Sequence, residues 1–245
     1  MTPERRRFLG WGAAAAAGAA AVTTLAPGLR LVELARARSP DEAASALQRW
    51  GLLIDTAKCS DCDACVSACR EENGWTGHDR PATDAQWIRK VSLRDRRSGF
   101  AQTLPLMCQH CEHPPCVDVC PTGASFRRAD GIVLVDKHIC IGCRYCVMAC
   151  PFGARSFVHE PTTGQKPDVP RGKGTVESCT LCVQRVDRGE RPACVEACNR
   201  DGHGAMAFGD LNNAAGDLGR RLRSEPSSAL RADLKLNPGV RYQSL

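Results

Sequence analysis

The sequence predicts an α+β fold built from two interleaved units, with loop insertions and an extended C-terminal tail. Sixteen cysteines fall into four groups of four, and no cysteine is left over. Short apolar runs precede two of these groups, and the groups together form a nested internal repeat. Each short strand is expected to lead into a cysteine-rich loop and then a single helical turn. This pattern favours a mixed fold of small elements.

The spacing of the cysteines is typical of iron–sulfur cluster ligands. The groups are Cys59/Cys62/Cys65/Cys69, Cys108/Cys111/Cys116/Cys120, Cys140/Cys143/Cys146/Cys150 and Cys179/Cys182/Cys194/Cys198. The third group reads C-x2-C-x2-C-x3-C-P, the bacterial ferredoxin spacing for a pair of [4Fe–4S] clusters. The second group has two additional residues before its third cysteine, the first has Arg70 in place of the proline, and the fourth has a longer middle gap. Four such motifs predict four [4Fe–4S] clusters, held by two bacterial-ferredoxin-like units of two clusters each.

Zinc sites and disulfide bonds are the alternatives. Disulfide frameworks belong mainly to small exported domains, and this chain has 245 residues. Tetrahedral zinc sites are built from two CxxC pairs. Such sites do not account for a fourth cysteine three residues beyond the third, repeated from motif to motif. The spacing therefore favours clusters over both alternatives.

Apolar runs and polar stretches divide the chain. GLLID (Gly51–Asp55) and GIVLVD (Gly131–Asp136) are predicted strands ahead of motifs one and three, and WIRKVSL (Trp87–Leu93) is a third. Gly, Pro and charged residues in 159–177 predict a loop, and Asn213–Arg223 predicts a helix. Residues 104–158 form the inner unit with motifs two and three, and residues 38–103 plus 159–212 form the outer unit with motifs one and four. The tail, 213–245, is expected to be a surface strap, with a docking segment as the alternative.

Residues 1–37 have the pattern of a twin-arginine signal peptide. Arg5, Arg6 and Arg7 precede Phe8 and Leu9, followed by an Ala-rich apolar stretch. Ala35-Arg36-Ala37 is a candidate cleavage site, and an uncleaved anchor is the alternative. Export of folded protein allows clusters to be built in the reducing cytoplasm before the thiols meet an oxidising compartment. The sequence thus predicts a periplasmic protein that contacts the membrane through partners.

The formal net charge of +6 does not indicate a nucleic-acid-binding protein. Residues 1–37 hold five arginines and two glutamates, so the rest of the chain carries +3. Each oxidised cluster with four thiolates carries about −2, so four clusters bring the mature protein to roughly −5. With no aromatic–basic module in the sequence, nucleic acid is not an expected partner.

Over residues 50–212 the chain resembles the four-cluster electron-transfer subunits of the DMSO reductase, formate dehydrogenase and NrfC nitrite reductase type. The resemblance implies that each fourth cysteine crosses to a neighbouring cluster. The implied ligand sets are Cys59, Cys62, Cys65 and Cys198; Cys179, Cys182, Cys194 and Cys69; Cys108, Cys111, Cys116 and Cys150; and Cys140, Cys143, Cys146 and Cys120.

Within that family the chain is most similar to the exported DsrO-type subunits of the Dsr membrane complex of sulfur metabolism. The pieces that resemble them are RWGLLIDTAKC, WIRKVSL, CIGCRYCVMACPFGAR, RPACVEAC and HGAMAFGDLN, besides the twin-arginine start. The resemblance implies an NrfD-type integral-membrane quinone-interacting subunit, a multihaem cytochrome c, and further Dsr-type subunits as partners.

Three functions follow as hypotheses. The first is a non-catalytic electron-transfer subunit that relays electrons between a quinone site and a cytochrome c. The second is the iron–sulfur subunit of a periplasmic molybdopterin reductase of the tetrathionate, polysulfide or nitrite type. The third is a structural metal-binding module. The sequence contains no nucleotide-binding loop or Ser–His–Asp pattern, so no catalytic residue is predicted.

A few residues near the motifs have predicted supporting roles. His110 and His113 are expected to hydrogen-bond near a cluster or to lie at the surface. Ile141, Tyr145 and Val147 are expected to shield the cluster of motif three from water. Lys137 and Arg144 are expected to be solvated charges, with an electrostatic effect on a cluster potential as the alternative.

Overall fold

Short helices and strands alternate along the chain in a computed structural model, which describes residues 42–60, 62–80 and 82–245. Within these residues, strands β1 to β9 span Trp50–Asp55, Ile88–Arg94, Ala101–Met107, Ser125–Arg127, Val133–Val135, Ser156–Phe157, Val176–Glu177, Met206–Asp210 and Val240–Gln243. Helices α1 to α6 span Ala64–Asn73, Pro115–Asp118, Tyr145–Ala149, Val183–Val186, Ala193–Arg200 and Asp217–Ser224, and a 3-10 turn covers Ala232–Leu234. The fold is thus small and mixed, as predicted.

A three-stranded sheet with the order β8-β1-β9 forms the centre of the core. Strand β1 pairs antiparallel with β8, from Trp50 opposite Asp210 to Ile54 opposite Met206. It pairs parallel with β9, from Leu52 opposite Val240 to Asp55 opposite Gln243. Leu52, Leu53 and Ile54 are all buried. An unbroken apolar run suits a strand that is covered on both faces.

The other strands form antiparallel hairpins. Strand β2 pairs with β3 from Ile88 opposite Met107 to Arg94 opposite Ala101. Strands β4 and β5 form a second hairpin, and β6 and β7 form a third. The predicted strands at Gly51–Asp55 and Trp87–Leu93 are confirmed within one residue, and the strand predicted at Gly131–Asp136 is shorter, Val133–Val135.

The cysteine motifs are placed around this framework by helix packing. Helix α1, which follows motif one, packs against α5 of motif four, and α2 of motif two packs against α3 of motif three. Many of the cysteines belong to the hydrophobic core itself, together with Trp75, Trp87 and Ile132. The described residues all fall within one compact unit, and the predicted boundaries between an inner and an outer unit stay predictions.

The C-terminal tail corrects the expectation of a surface strap. Its last strand, β9, is an edge strand of the central sheet, and Tyr242 is fully buried. The alternation of Val240, Arg241 and Tyr242 puts two apolar side chains on the face toward the core. The preceding Pro and Gly indicated a loop, so the local sequence did not predict this short strand. The predicted helix at Asn213–Arg223 exists, but it begins at Asp217.

The predicted signal peptide, residues 1–37, lies outside the described residues. Among the described helices, none is long and apolar enough to span a membrane.

Candidate metal centres

Each cysteine motif is a loop that runs into a short helix. Cys65 and Cys69 lie four residues apart on α1, and Cys194 and Cys198 are spaced in the same way on α5. Side chains at i and i+4 share one helix face. Because α1 packs against α5, thiols of motifs one and four are brought together across more than a hundred residues of sequence.

The first group of thiols joins motif one with the end of motif four. Cys59, Cys62, Cys65 and Cys198 line one small cavity, together with Pro105. Burial, followed by the charges of Cys198, Cys59 and Cys62, raises the pKa of Cys65 to about 12. Cys59 and Cys62 are half-buried, whereas Cys65 and Cys198 are buried. We call this set S1.

The second group is the most enclosed. Cys69, Cys179, Cys182 and Cys194, which we call set S2, are all buried and line one apolar cavity. Burial raises the pKa of Cys194 well above its usual value, and Cys182, Cys69 and Cys179 raise it further.

Three hydrogen-bond donors point at the sulfur atoms of S2. The Trp75 indole N–H donates to Cys69 Sγ at 3.3 Å, and the Asn73 amide donates to the same sulfur at 3.5 Å. The Leu181 backbone N–H donates to Cys179 Sγ at 3.4 Å. Such donors stabilise thiolate charge and help to set cluster potential.

The third group joins motif two with the end of motif three. Burial, then the charges of Cys116 and Cys150, raises the pKa of Cys111 to about 12. Burial likewise raises the pKa of Cys108 to about 12, with Cys116 and Cys150 again adding to the effect. We call Cys108, Cys111, Cys116 and Cys150 set S3.

The fourth group reaches the surface. Cys120, Cys140, Cys143 and Cys146, which we call set S4, line one cavity. The Ser125 N–H donates to Cys120 Sγ at 3.3 Å, and the Val176 N–H donates to Cys140 Sγ at 3.5 Å. Cys143 is the exposed cysteine of the sixteen.

Neighbouring sets are in electrostatic contact. Burial is the main cause of the raised thiol pKa values, and thiols of neighbouring sets raise them further. Between S1 and S2, Cys65 raises the pKa of Cys69. Between S2 and S3, Cys108 raises the pKa of Cys179, and between S3 and S4, Cys146 raises the pKa of Cys116. The sets therefore follow the order S1, S2, S3, S4. Partly or fully exposed thiols lie at the two ends of this order, all four thiols of S2 are buried, and S3 has one half-buried thiol, Cys150.

The donors present fit [4Fe–4S] clusters. The sixteen cysteines, which all lie in the described part of the chain, are thiols and not halves of disulfide bonds. S1, S2 and S4 each line a cavity with four sulfur donors, and the thiols of S3 influence one another's pKa. Among the described residues, no three His, Cys, Asp or Glu side chains converge on a point for a single metal ion. Four thiolates, each directed at a different iron of a cube, are the donor set of a [4Fe–4S] cluster.

The residues with predicted supporting roles differ in outcome. His110 is buried, and its Nδ1 accepts a hydrogen bond from the Val133 N–H at 3.0 Å. Burial, then the nearby Arg155, lowers the pKa of His110 to about 4, so this imidazole is neutral at pH 7. His113 is exposed.

The predicted shielding of motif three stays a prediction. Ile141 lines the S4 cavity. Ile141 and Tyr145 are 67% and 55% exposed, whereas Val147 packs against the core. The prediction that Lys137 is a solvated charge is wrong. Its ammonium group donates to the Val176 carbonyl at 2.5 Å, and burial lowers its pKa to about 8. Arg144 is exposed and stacks over the Phe157 ring at 5.1 Å.

Sequence reasoning missed several residues that contact the thiols. Asn73 and Trp75 follow motif one by a few residues, and helical i, i+4 spacing from Cys69 could have indicated Asn73. Arg155 ends the segment PFGAR after motif three. Nothing in its local sequence separates it from the many exposed arginines of this chain.

Sulfur-lined sites on short loop–helix segments define a polycluster protein of the bacterial ferredoxin type. Two family profiles, both described as a 4Fe-4S dicluster domain, match residues 55–124 and 99–211.

Full-length relatives extend this match. The Hdr-like menaquinol oxidoreductase iron-sulfur subunit 1 of Archaeoglobus fulgidus is 40% identical over 270 residues, covering 99% of this chain and 98% of the relative. A tetrathionate reductase subunit of Salmonella typhimurium is 35% identical, covering 90% of this chain and 84% of the relative. Protein NrfC of Escherichia coli K12 is 34% identical, and the match covers 97% of this chain and 94% of the relative. The chain belongs to this family of 4Fe-4S dicluster iron–sulfur subunits.

Proposed function

We propose that this chain is a periplasmic electron-transfer subunit of a Dsr-type membrane complex. It relays electrons through four [4Fe–4S] clusters between an NrfD-type quinone-interacting membrane subunit and a multihaem cytochrome c, and has no catalytic site of its own. The observation that carries the proposal is the order S1, S2, S3, S4, in which adjacent thiols interact and both ends are accessible.

The four sets serve as the ligand sets of the four clusters. S1 and S2 each combine cysteines of motifs one and four, and S3 and S4 each combine cysteines of motifs two and three. The chain is therefore two interleaved ferredoxin-like units, an outer one of residues 38–103 plus 159–212 and an inner one of 104–158. The packing of α1 on α5 and of α2 on α3 supports this pairing.

The clusters supply one-electron redox chemistry when bound. The residues of the chain determine where that chemistry takes place. They bury all four thiols of S2 and three of the four in S3, and N–H donors from Trp75, Asn73 and Leu181 hold the thiolates of S2 in place. S1 and S4 stay near the surface for exchange with partners.

The two ends of the relay differ in character. Around the exposed Cys143 of S4, Ile139, Ile141, Tyr145 and Met148 are between 49% and 73% exposed. Polar Lys58, Ser60 and His203 line the S1 end. Large exposed apolar groups are costly in water and mark a stable protein contact. The S4 end is therefore the docking site of the permanent membrane partner, and the polar S1 end receives the cytochrome.

A quinone-linked role is supported by the name of one relative, an iron–sulfur subunit of a menaquinol oxidoreductase. Export of the folded, cluster-loaded protein by the twin-arginine route accounts for thiols that are not paired as disulfides. The alternative, a subunit of a periplasmic molybdopterin reductase, is supported by the similarity to the tetrathionate reductase subunit.

Purification of the chain with its native partners separates these two functions. A tag placed after the exposed Leu245 is used to isolate the complex anaerobically from detergent-solubilised membranes. We expect an integral-membrane subunit and covalently bound c-type haem, detected by mass spectrometry and haem staining, with no molybdenum. Stoichiometric molybdenum with a large co-purifying subunit would instead establish the reductase alternative.

A pair of surface variants tests the docking end within the same experiment. Met148→Glu places a charge beside Cys143 and is expected to lose the membrane subunit. Phe100→Glu alters another exposed apolar residue, in the turn of the β2–β3 hairpin, and should retain the membrane subunit. If Met148→Glu also retains it, the S4 end is not the membrane-facing end.

A further inference from the structure

Arg155 is a buried cation at the junction of S3 and S4. It lies five residues after Cys150, directly before β6, and is only 5% exposed. None of its three guanidinium nitrogens has a hydrogen-bond partner that satisfies both distance and angle. In the part of the chain that the structure describes, no carboxylate forms an ion pair with it.

Other largely buried arginines of the chain are paired with carboxylates. Arg171 donates to both oxygens of Glu177, at 2.8 and 2.9 Å. Arg128 forms ion pairs with Asp130 and Asp187. An unpaired buried charge is strongly unfavourable, so Arg155 requires a negative partner other than a carboxylate.

Thiols of both sets lie near enough to the Arg155 guanidinium to influence its pKa. Burial opposes its charged form, yet Cys116, Cys108 and Cys146 together raise the pKa of Arg155 above its usual value. Cys116 and Cys108 belong to S3, and Cys146 belongs to S4. The charge of Arg155 in turn opposes the rise that burial causes in the pKa of Cys116 and of Cys146.

We propose that Arg155 is a positioning residue whose fixed positive charge compensates the negative charge of the two clusters held by S3 and S4 and raises the reduction potentials of both. The inference rests on the proposed ligand sets. A cluster that gains one electron becomes more negative by one charge, and a cation held in a low-dielectric site stabilises that added charge.

The position of Arg155 between the sets also suits it to electron exchange. If one electron passed between clusters held by S3 and S4, one cluster would lose a negative charge and the other would gain one, and the same guanidinium would be near both because it lies near thiols of both sets. A guanidinium does not release its proton in proteins. The transfer therefore needs no accompanying proton, and the potentials that depend on Arg155 should not vary with its protonation.

Redox titration of the purified holoprotein, followed by EPR, tests the proposal. Arg155→Met removes the charge and keeps an unbranched side chain of similar length. We expect the midpoint potentials of two of the four clusters to become more negative and the other two to stay unchanged. Arg155→Lys keeps the charge and should give potentials between those of the Met variant and the native protein.

Arg144→Met is the matched control. Arg144 is also an arginine beside S4, but it is exposed, so solvent screens its charge. We expect Arg144→Met to leave the cluster midpoint potentials unshifted by comparison with Arg155→Met. If Arg155→Met leaves all four potentials in place at full iron content, or if the Lys and Met variants shift them equally, the proposal is wrong.

The iron content of the variants tests the proposal even if Arg155→Met does not assemble its clusters. If Arg155→Met loses iron and Arg155→Lys retains it, charge compensation is needed to hold the two clusters, which supports the proposal. If both variants lose iron, the shape of the guanidinium matters instead of its charge, and the proposal fails. If the native protein itself contains clearly fewer than about sixteen irons, four per cluster, the proposed function fails instead.

Discussion

Individual thiols of this protein are buried where their charged forms are unfavourable. Burial is the first cause of the raised pKa of Cys65, Cys69, Cys108 and Cys111, each to about 12, and neighbouring thiols add to it. Without a bound cation, sets of this kind would keep their protons. Binding of iron requires thiolates, so the chain contributes N–H donors and one buried arginine to offset the charge.

Gly142 is a residue at which a single methyl group should disturb one site. It lies between Cys140 and Cys143 with φ +69°, and an added Cβ would come within 2.1 Å of the Gly174 carbonyl oxygen. We expect Gly142→Ala to displace the S4 loop and to lose about a quarter of the bound iron, one cluster of four. Iron analysis and EPR of the purified variant measure this loss.

Gly174→Ala is the matched control for that change. Gly174 also has a positive φ, +83°, but an added Cβ there meets no atom within 4 Å. Both variants carry the strain of an L-residue in this region, about 1–2 kcal/mol, and only Gly142→Ala adds the collision. Equal iron content in the two variants would show that the close approach does not matter.

At the scale of elements, the last strand supports motif two from a distance. The Tyr242 hydroxyl donates to the Pro105 carbonyl of β3 at 3.1 Å and accepts from the Gln109 side chain at 3.2 Å. Gln109 lies between Cys108 and Cys111, and its backbone carbonyl accepts from the Gly239 N–H at 2.8 Å. The C-terminal tail thereby fixes the loop that carries S3 thiols.

Tyr242→Ala should therefore destabilise the protein strongly. Removal of a fully buried aromatic ring costs about 3–5 kcal/mol, which corresponds to a fall of the order of 10 °C in the melting temperature for a chain of this size. Thermal unfolding of the anaerobic holoprotein, followed by circular dichroism, measures the change.

Arg241→Ala provides the comparison on the same strand. Arg241 is half-buried on the opposite face and forms one hydrogen bond to the Asn237 side chain at 2.9 Å. We expect a loss of about 1 kcal/mol or less. Similar melting temperatures for the two variants would mean that β9 stabilises the protein only through its backbone pairing with β1, and that the Tyr242 ring adds nothing to the stability.

At the scale of the whole molecule, the proposed crossover of ligands makes a specific prediction. Cys120 belongs to motif two by sequence but stands with Cys140, Cys143 and Cys146 in one cavity. Cys120→Ser should therefore alter the same EPR signal as Cys143→Ser, although Cys143 belongs to motif three. Cys116→Ser, in the same motif as Cys120, should alter a different signal.

The comparison of these three spectra decides the connectivity. If Cys120→Ser resembles Cys116→Ser, each motif holds its own cluster and the units are not interleaved. Reduced samples prepared under one set of conditions are sufficient, because the prediction concerns which signals change together and not their absolute potentials.

Much of the local structure could be predicted from short stretches of sequence. The strands at β1 and β2 and the helix near Asp217 follow from apolar patterns within a few residues. β9 could not be predicted in this way because its four residues resemble a loop ending, and only pairing with β1 makes them a strand. The exposure of Ile141 and Tyr145 was also missed, since an apolar side chain on a tight loop has no periodicity to indicate its direction.

The sequence by itself determined the donors of this protein. Cysteine spacing is set by the covalent chain, so the number of thiols, their grouping and the type of metal group they suit are local properties. The meeting of thiols across a hundred residues was implied by a family resemblance and by no local pattern. Tertiary structure decided which sets reach solvent, and that Arg155 is buried near thiols of two sets. These features depend on the packing of distant helices and strands, and on the low-dielectric interior that such packing creates, which no local pattern encodes.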